Sequence, residues 1–357
     1  VYMDAHPTLV IPFPHGRITG DDVSLKNQRR VAEYSVTANR EILLDSRTNA
    51  RFLIEERVDT QLNIDLKKGI ESITRQSFDD ECLNILLKWA CMQNGDNLIE
   101  IYHNSDFVGW QGTFRRIANA FYNKDSMGIV AIKVDGVIFL SETTRAYAQE
   151  SDRWVTKAPF YMGYCPFKFN QIMTTDSEGK RDHDDSLDNR PSFNVMVRSE
   201  LINSKIEESI SLCVGSSVEA MNEQGRAVEF RALYKWANNK SPLRNMNAIL
   251  RCDLTDLDSV IFGYRDDNFM LEKTKSMRRE DFCSILRGLH SRSYEFLFDI
   301  LKGIKKFLST VDVDASVVEL PVQTENGLMV QITASTKEET KGILTDEFKR
   351  RFNVSTI

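Results

Sequence analysis

The chain has 357 residues, 41% of them hydrophobic and 27% charged, with a formal net charge of −6. That balance belongs to a globular protein long enough to bury a large core, and it excludes collagenous and low-complexity classes. An acidic chain confines any nucleic-acid site to a local patch, and no apolar stretch is long enough to span a bilayer.

Residues up to about Gly20 carry Pro7, Pro12 and Pro14 and read as extended chain laid along a body, with no basic-then-apolar leader pattern. Asp21 to about Asn39 is polar and compatible with a helix, and Asp65 to Ser72 is a turn-rich connector. From Asp79 to Cys91, Leu83, Leu86, Leu87 and Ala90 fall on one face and predict a helix. Met127 to Glu142 predicts a hairpin, because two β-branched runs flank Asp135-Gly136, a pair that accepts the positive φ of a tight turn. Further strands are expected at Phe193–Val197, Ile210–Val218, Val228–Leu233 and Val260–Tyr264. A long helix follows over Arg279–Leu308. Phe282, Ile285, Leu286, Leu289, Phe296, Leu297, Ile300, Leu301, Ile304 and Phe307 supply the face it buries against a sheet. Two strands near Val317–Val322 and Leu328–Thr333 precede a polar helix from Glu338 to about Arg351. Lys349-Arg350-Arg351 reads as a solvated helix face before it reads as a fragment of a nuclear import signal.

The cysteines are Cys82, Cys91, Cys165, Cys213, Cys252 and Cys283. Their spacing contains no CxxC pair, which argues against structural zinc and fits cytosol or nucleus. Thr174 to Arg190 concentrates Asp176, Glu178, Asp182, His183, Asp184, Asp185 and Asp188. A metal site needs ligands held by a packed surround, so this stretch reads as a mobile loop. The fold class expected is mixed α/β, with mixed β-sheets flanked by helices, in one domain over residues 1–357.

The chemistry rests on two strands. Gly215-Ser216-Ser217-Val218-Glu219 is followed by Val228-Glu229-Phe230-Arg231. Strand alternation places Ser217 with Glu219 and Glu229 with Arg231, and strands Ile210–Val218 and Val228–Leu233 are expected to be adjacent, bringing Glu219 and Glu229 within reach of one cavity. Paired strand carboxylates can hold Mg²⁺, and a neighbouring base can steady water. Two acids and a base on a hairpin are also a common solvated sheet face.

Several segments in order resemble the DXO family of eukaryotic RNA decapping and 5′-end quality-control nucleases. Asp65 to Glu71 resembles its "DL..G.E" connector, and Phe107 to Gly112 its "FV.WRG". Phe160 to Asn170 resembles "YMGYKFE" with an insertion, Ser216 to Glu219 "GEVD", Val228 to Arg231 "VELK", and Gly263 to Arg265 "GFR". The resemblance covers about Ile64 to the end of the long helix, and it implies a metal-dependent 5′-end RNA hydrolase scaffold.

The departures fall on the family's functional positions. The resemblance puts Gln111 where the family has a phosphate-contacting arginine, Asn170 where it has a metal-ligating glutamate, and Ser217 where the first acid of "EVD" stands. Glu219 replaces the aspartate, Glu229 is kept, and Arg231 replaces the lysine. Arg251 falls where the family has a glutamine. The expected pocket therefore holds two carboxylates and two guanidiniums, which favour ion pairs over a hard divalent cation. No catalytic residue, no metal and no cofactor is expected; Arg231 and Arg251 are the candidate substrate-binding residues. The losses resemble those of a catalytically degenerate germline member of the family in flies. That likeness implies a nuclear protein that protects nascent piRNA-precursor transcripts from termination and 5′ decay. Its partners would be proteins of a chromatin-linked piRNA-precursor complex and RNA 5′ ends, with no membrane. Two alternatives stay open: a divergent metal-dependent nuclease using Glu219, Glu229 and a shifted ligand, and a protein scaffold with a relic pocket. An open binding pocket would be lined by Arg115, Arg116, Arg231 and Arg251, whereas a relic leaves Arg115 and Arg116 on a helix surface.

Overall fold

A hydrophobic alternation of period two runs through most of the chain, and in the computed structural model it builds two sheets. The structure describes residues 7–12, 22–74, 82–123, 126–143, 157–181, 185–236, 242–286, 289–325 and 327–354. The strands are β1 (Thr8–Pro12), β2 (Val23–Val36), β3 (Ile42–Leu44), β4 (Phe52–Leu53), β5 (Gln61–Asp65), β6 (Phe107–Trp110), β7 (Met127–Val134), β8 (Val137–Glu142), β9 (Thr174–Thr175), β10 (Ser192–Asn203), β11 (Glu208–Val218), β12 (Ala220–Met221), β13 (Ala227–Tyr234), β14 (Ser259–Arg265), β15 (Met270–Arg278), β16 (Ala315–Thr324) and β17 (Gly327–Ala334). The helices are α1 (Asn84–Cys91), α2 (Leu98–Ile101), α3 (Gln111–Asn123), α4 (Lys157–Met173), α5 (Pro242–Thr255), α6 (Arg279–Leu286), α7 (Leu289–Val311), α8 (Lys337–Thr340) and α9 (Asp346–Arg351).

Ten strands form the larger sheet in the order β1-β17-β16-β7-β8-β6-β11-β10-β2-β3, and seven form the smaller in the order β5-β15-β14-β13-β12-β4-β9. Both are mixed: β6 runs parallel to β8 and β11, and β13 parallel to β14, among antiparallel neighbours. Alternation sorts the side chains into layers. Ile129 and Ala131 of β7, Val195 and Val197 of β10, and Leu212 and Val214 of β11 join one core with α5, α6 and α7. Val130, Ile132, Met196 and Cys213 point the other way, toward α1 and Phe348 of α9. The smaller sheet sends Val260, Phe262 and Tyr264 into the first core, and Val228, Phe230 and Ile261 toward Phe169 of α4. The helix layer of α3, α5, α6 and α7 thus lies between the two sheets.

The Asp135-Gly136 hairpin is present, with Asp135 at φ 46° and Gly136 at φ 86°. The other expected strands are found, each longer than the sequence suggested. The helix-compatible reading of Asp21–Asn39 was wrong, because this stretch is β2. Its charged residues hide the alternation, and register shifts beside Met196/Val197 and Arg198/Glu200 of β10 break the phase further. The N-terminal segment pairs as β1 with β17. The helix expected over Arg279–Leu308 is two helices, α6 and α7, on either side of residues 287–288. Phe282 and Leu286 are buried four residues apart, whereas Ile285, expected inside, is 40% exposed. The polar C-terminal helix is likewise two short helices, each started by a threonine cap, Thr336 and Thr345.

Asp79, Asp80 and Asp182 to Asp184 lie outside the described residues. The described part of the acidic stretch includes β9, a turn in which Asp176 accepts from the Lys180 amide, and a bridge between Thr74 and Asp188. All six cysteines are free thiols. Among the described residues no helix is long and apolar enough to cross a membrane.

Candidate functional site

The site forms where the chain crosses from one sheet to the other. β11 ends at Val218 in the larger sheet, and β12 begins at Ala220 in the smaller. Glu219 is the single residue between them. β11 and β13, expected to be adjacent strands, therefore belong to different sheets and do not pair. The short β12 makes the connection, because Ala220 sits opposite Val228 in antiparallel register. One residue further, that register sets Glu219 against Glu229. The crossover is fixed by a hydrogen bond of 2.6 Å from the Phe230 amide to Glu219 Oε2.

Glu229 is 1% exposed. It lies on the helix-layer side of β13, between Val228 and Phe230, which point the other way. Two arginines neutralise it. Arg251 of α5 brings Nε to 2.7 Å from Glu229 Oε2 and Nη2 to 3.5 Å from Glu219 Oε1, so one guanidinium spans both carboxylates. Arg231, two residues along β13, pairs with Glu229 Oε1 and keeps 38% of its side-chain exposure. Coulombic attraction to Glu229 and Glu219 favours the Arg251 charge more than its hydrogen bond with Glu229 does. Burial holds the Glu219 carboxyl above the usual carboxylate range, with Arg251 opposing the rise. Burial also works against the charge of Arg251, but Glu229 and Glu219 outweigh it and hold its pKa above the ordinary arginine value.

A third guanidinium joins them, that of Arg115, for which pocket and helix surface were both open on the sequence. α3 begins at Gln111, directly after β6, and carries Gln111, Arg115 and Asn119 at four-residue spacing on one face. α5 answers with Asn247 and Arg251 at the same spacing. Arg115 donates to Asn247 Oδ1 at 2.7 Å, and Asn119 donates to the same oxygen. Burial, then the like charges of Arg251 and Arg231, push the Arg115 pKa down to about 10, with Glu229 opposing. Arg115 Nε and Gln111 Nε2 are buried donors with no hydrogen-bond partner. The matching i, i+4 polar faces of the two helices were the available signal. Arg116, the other basic residue weighed for this pocket, turns away and pairs with Glu142.

Asn170 lies in α4, partly buried, and its backbone carbonyl accepts from Thr174 Oγ1. Ser217 is exposed on β11, in register with Asn194. Among the described residues, neither side chain makes a hydrogen bond or ion pair with the carboxylates. The structure thus gathers Glu219, Glu229, Arg231 and Arg251, adds Arg115, and brings Gln111 one helical turn from Arg115.

A divalent cation does not fit this donor set. Mg²⁺ and Mn²⁺ require several oxygen ligands and net negative charge to offset dehydration. Here three guanidiniums face two carboxylates, and Arg251 stands against both. No group of three or more acidic, cysteine or histidine residues able to hold a metal occurs among the described residues. The surplus positive charge and the unpartnered buried donors instead suit an anion.

Residues 26–349 match the family described as RAI1 like PD-(D/E)XK nuclease. The chain is 25% identical over 311 residues to the decapping nuclease dom-3 of Caenorhabditis elegans, covering 82% of this chain and 77% of that protein. It is 20% identical over 295 residues to the decapping nuclease RAI1 of Saccharomyces cerevisiae, covering 75% and 76%. The fold superposes on Candida albicans Rai1, solved in complex with pU5-Mn2+, with a TM-score of 0.73 at 16% identity, covering 98% of this chain and 99% of that one.

Proposed function

The chain belongs to the RAI1-like PD-(D/E)XK nuclease family, and from that premise we propose that it is a member without hydrolytic activity that binds RNA 5′ ends and serves as a scaffold. The observation that carries this reading is the position of Arg251, which places one guanidinium against both Glu219 and Glu229. Where relatives named as decapping nucleases would place metal, this chain places a cation of its own. Loss of groups that act as a unit lowers a rate by orders of magnitude. With 5′-triphosphate or 5′-monophosphate RNA and Mg²⁺ or Mn²⁺, even a high protein concentration should yield no product. Metal-dependent turnover abolished by Glu229→Ala would overturn the proposal in favour of a divergent nuclease.

The ligand is read from the same charges. Arg231 is the most exposed of the site arginines, and its planar fork suits bidentate contact with phosphate. Exchange of Glu229 for a 5′ phosphate leaves Glu229 held by Arg251. A short 5′-monophosphate RNA should therefore bind more tightly than its 5′-hydroxyl counterpart, and the difference should shrink as salt rises. Arg231→Ala should remove the preference. Equal affinity for both ends would leave only the scaffold role, with a relic pocket.

The likeness to the degenerate fly germline member Cutoff motivates the finer proposal. It is of a nuclear protein that shields nascent piRNA-precursor transcripts from termination and 5′ decay, acting through protein partners of a chromatin-linked complex. A pull-down from germline nuclei with and without ribonuclease separates direct partners from RNA-bridged ones. Recovery of no nuclear partner under either condition would remove this part of the reading.

A further inference from the structure

The face of β13 that carries Glu229 and Arg231 does not end at the ion pairs. Leu233 packs on the central core from that face, and Lys235 follows two residues on. Lys235 is about 13 Å beyond Arg231 at strand spacing. The neighbouring strands add to the same face. Tyr264 and Phe262 of β14 point into the central core, and their register partners on β15 are Lys273 and Lys275, both exposed. Lys273 Nζ stands 5.3 Å from the Tyr264 ring centroid. Glu272 pairs with Lys235 at 2.6 Å, and the Asp266 carboxylate also attracts Lys235 through space. The acids of the adjoining turn have hydrogen-bond donors of their own: Asp266 accepts from the Met270 amide and Asp267 from the Tyr234 hydroxyl. At the end of this basic run stands Trp236, 75% exposed, with Lys235 Nζ 5.6 Å from its ring centroid.

An indole this exposed contributes almost nothing to the core. Beside a row of lysines it has the composition of a single-strand platform, in which cations follow the phosphates and an aromatic ring takes a base by stacking. We propose that Lys235, Lys273, Lys275 and Trp236 form a track for the body of a single-stranded RNA whose 5′ end lies at Arg231. The track extends the 5′-end reading above and reads no sequence, because every base has a π-face.

The test compares uridine oligomers of two, four and eight nucleotides bearing a 5′ monophosphate, with the full chain, by fluorescence anisotropy. Affinity should rise with length from the dimer to the octamer. Trp236→Ala, and separately Lys273→Glu with Lys275→Glu, should weaken octamer binding by roughly tenfold or more. Both should leave dimer affinity and the phosphate-over-hydroxyl preference unchanged. All three positions are exposed, and unchanged melting temperatures check that the variants fold. Length-independent affinity, or octamer binding indifferent to both variants, overturns the track. If the octamer depends on Trp236 while the 5′-phosphate preference is missing, the track stands and the end-binding reading falls.

Discussion

Replacing Arg251 with alanine should destabilise the protein by about 3–5 kcal/mol, the usual result of removing one partner of a buried ion pair. Glu229 is 1% exposed and forms ion pairs with Arg251 and Arg231, with Arg115 acting on it from further off, so Arg251→Ala leaves a buried carboxylate only partly compensated. The loss should depend on pH with a definite sign. Burial already holds the Glu219 carboxyl above its ordinary value, and Arg251 is the chief influence opposing that rise. Without Arg251 the folded-state pKa climbs further above the unfolded value of about 4.3. A raised carboxyl pKa favours the folded state below the unfolded pKa, and that advantage is lost as pH rises through the folded one. The deficit against the parent should therefore be largest near neutral pH and shrink toward pH 4. Urea unfolding at several pH values measures it. The double replacement Arg251→Met with Glu229→Leu removes both charges and should recover most of the loss. If that pair of changes is as damaging as Arg251→Ala alone, packing and not charge holds the crossover together.

Leu297→Ala in α7 should lower stability by about 2–5 kcal/mol, the range for a fully enclosed leucine cut back to leave a cavity. Leu297 has no exposure and lies among Phe296, Leu301 and Ile304 at helical spacing, in the core that both sheets share. Ile285→Ala in α6 is the matched control. At 40% exposure it should change stability by no more than about 0.5 kcal/mol. The readout is the urea midpoint at constant slope. Similar midpoints for the two variants would contradict the helix phases described above.

The sequence made the strands and the acid pair legible, and it concealed how the two meet. The β7–β8 hairpin was readable because Asp135-Gly136 fixes its turn locally. Glu219 and Glu229 were readable as neighbours because the short turn between them allows little else. The sheet change at Glu219 was not, since one residue carries it and β12 has only two. β2 was obscured by Lys26, Arg29, Arg30 and Glu33, charges that a bulged strand near a sheet edge carries as readily as a helix does. Arg115 stayed undecided between pocket and helix surface for a related reason. Its importance depends on where α3 starts, and a helix that begins on the last residue of a strand motif gives no separate start signal. Once Gln111 is known to open that helix, the four-residue ladder to Arg115 and Asn119 follows from helical geometry alone.

The order of the ten-stranded sheet also dictates a timetable for biosynthesis. β1 pairs only with β17, and β7 has its second neighbour in β16. Strands at opposite ends of the sequence must therefore meet, and such distant pairings form slowly. During translation the strands β2, β10, β11, β6, β8 and β7 can align while the outer edge of β7 stays open. The β16–β17 hairpin, joined by a short local turn, then docks against β7 and offers its own far edge to β1. β1 closes last, as a latch on a finished product. A chain halted before Ala315 keeps a bare edge on a strand made of core residues, the kind of surface that aggregates or is taken up by chaperones and proteases.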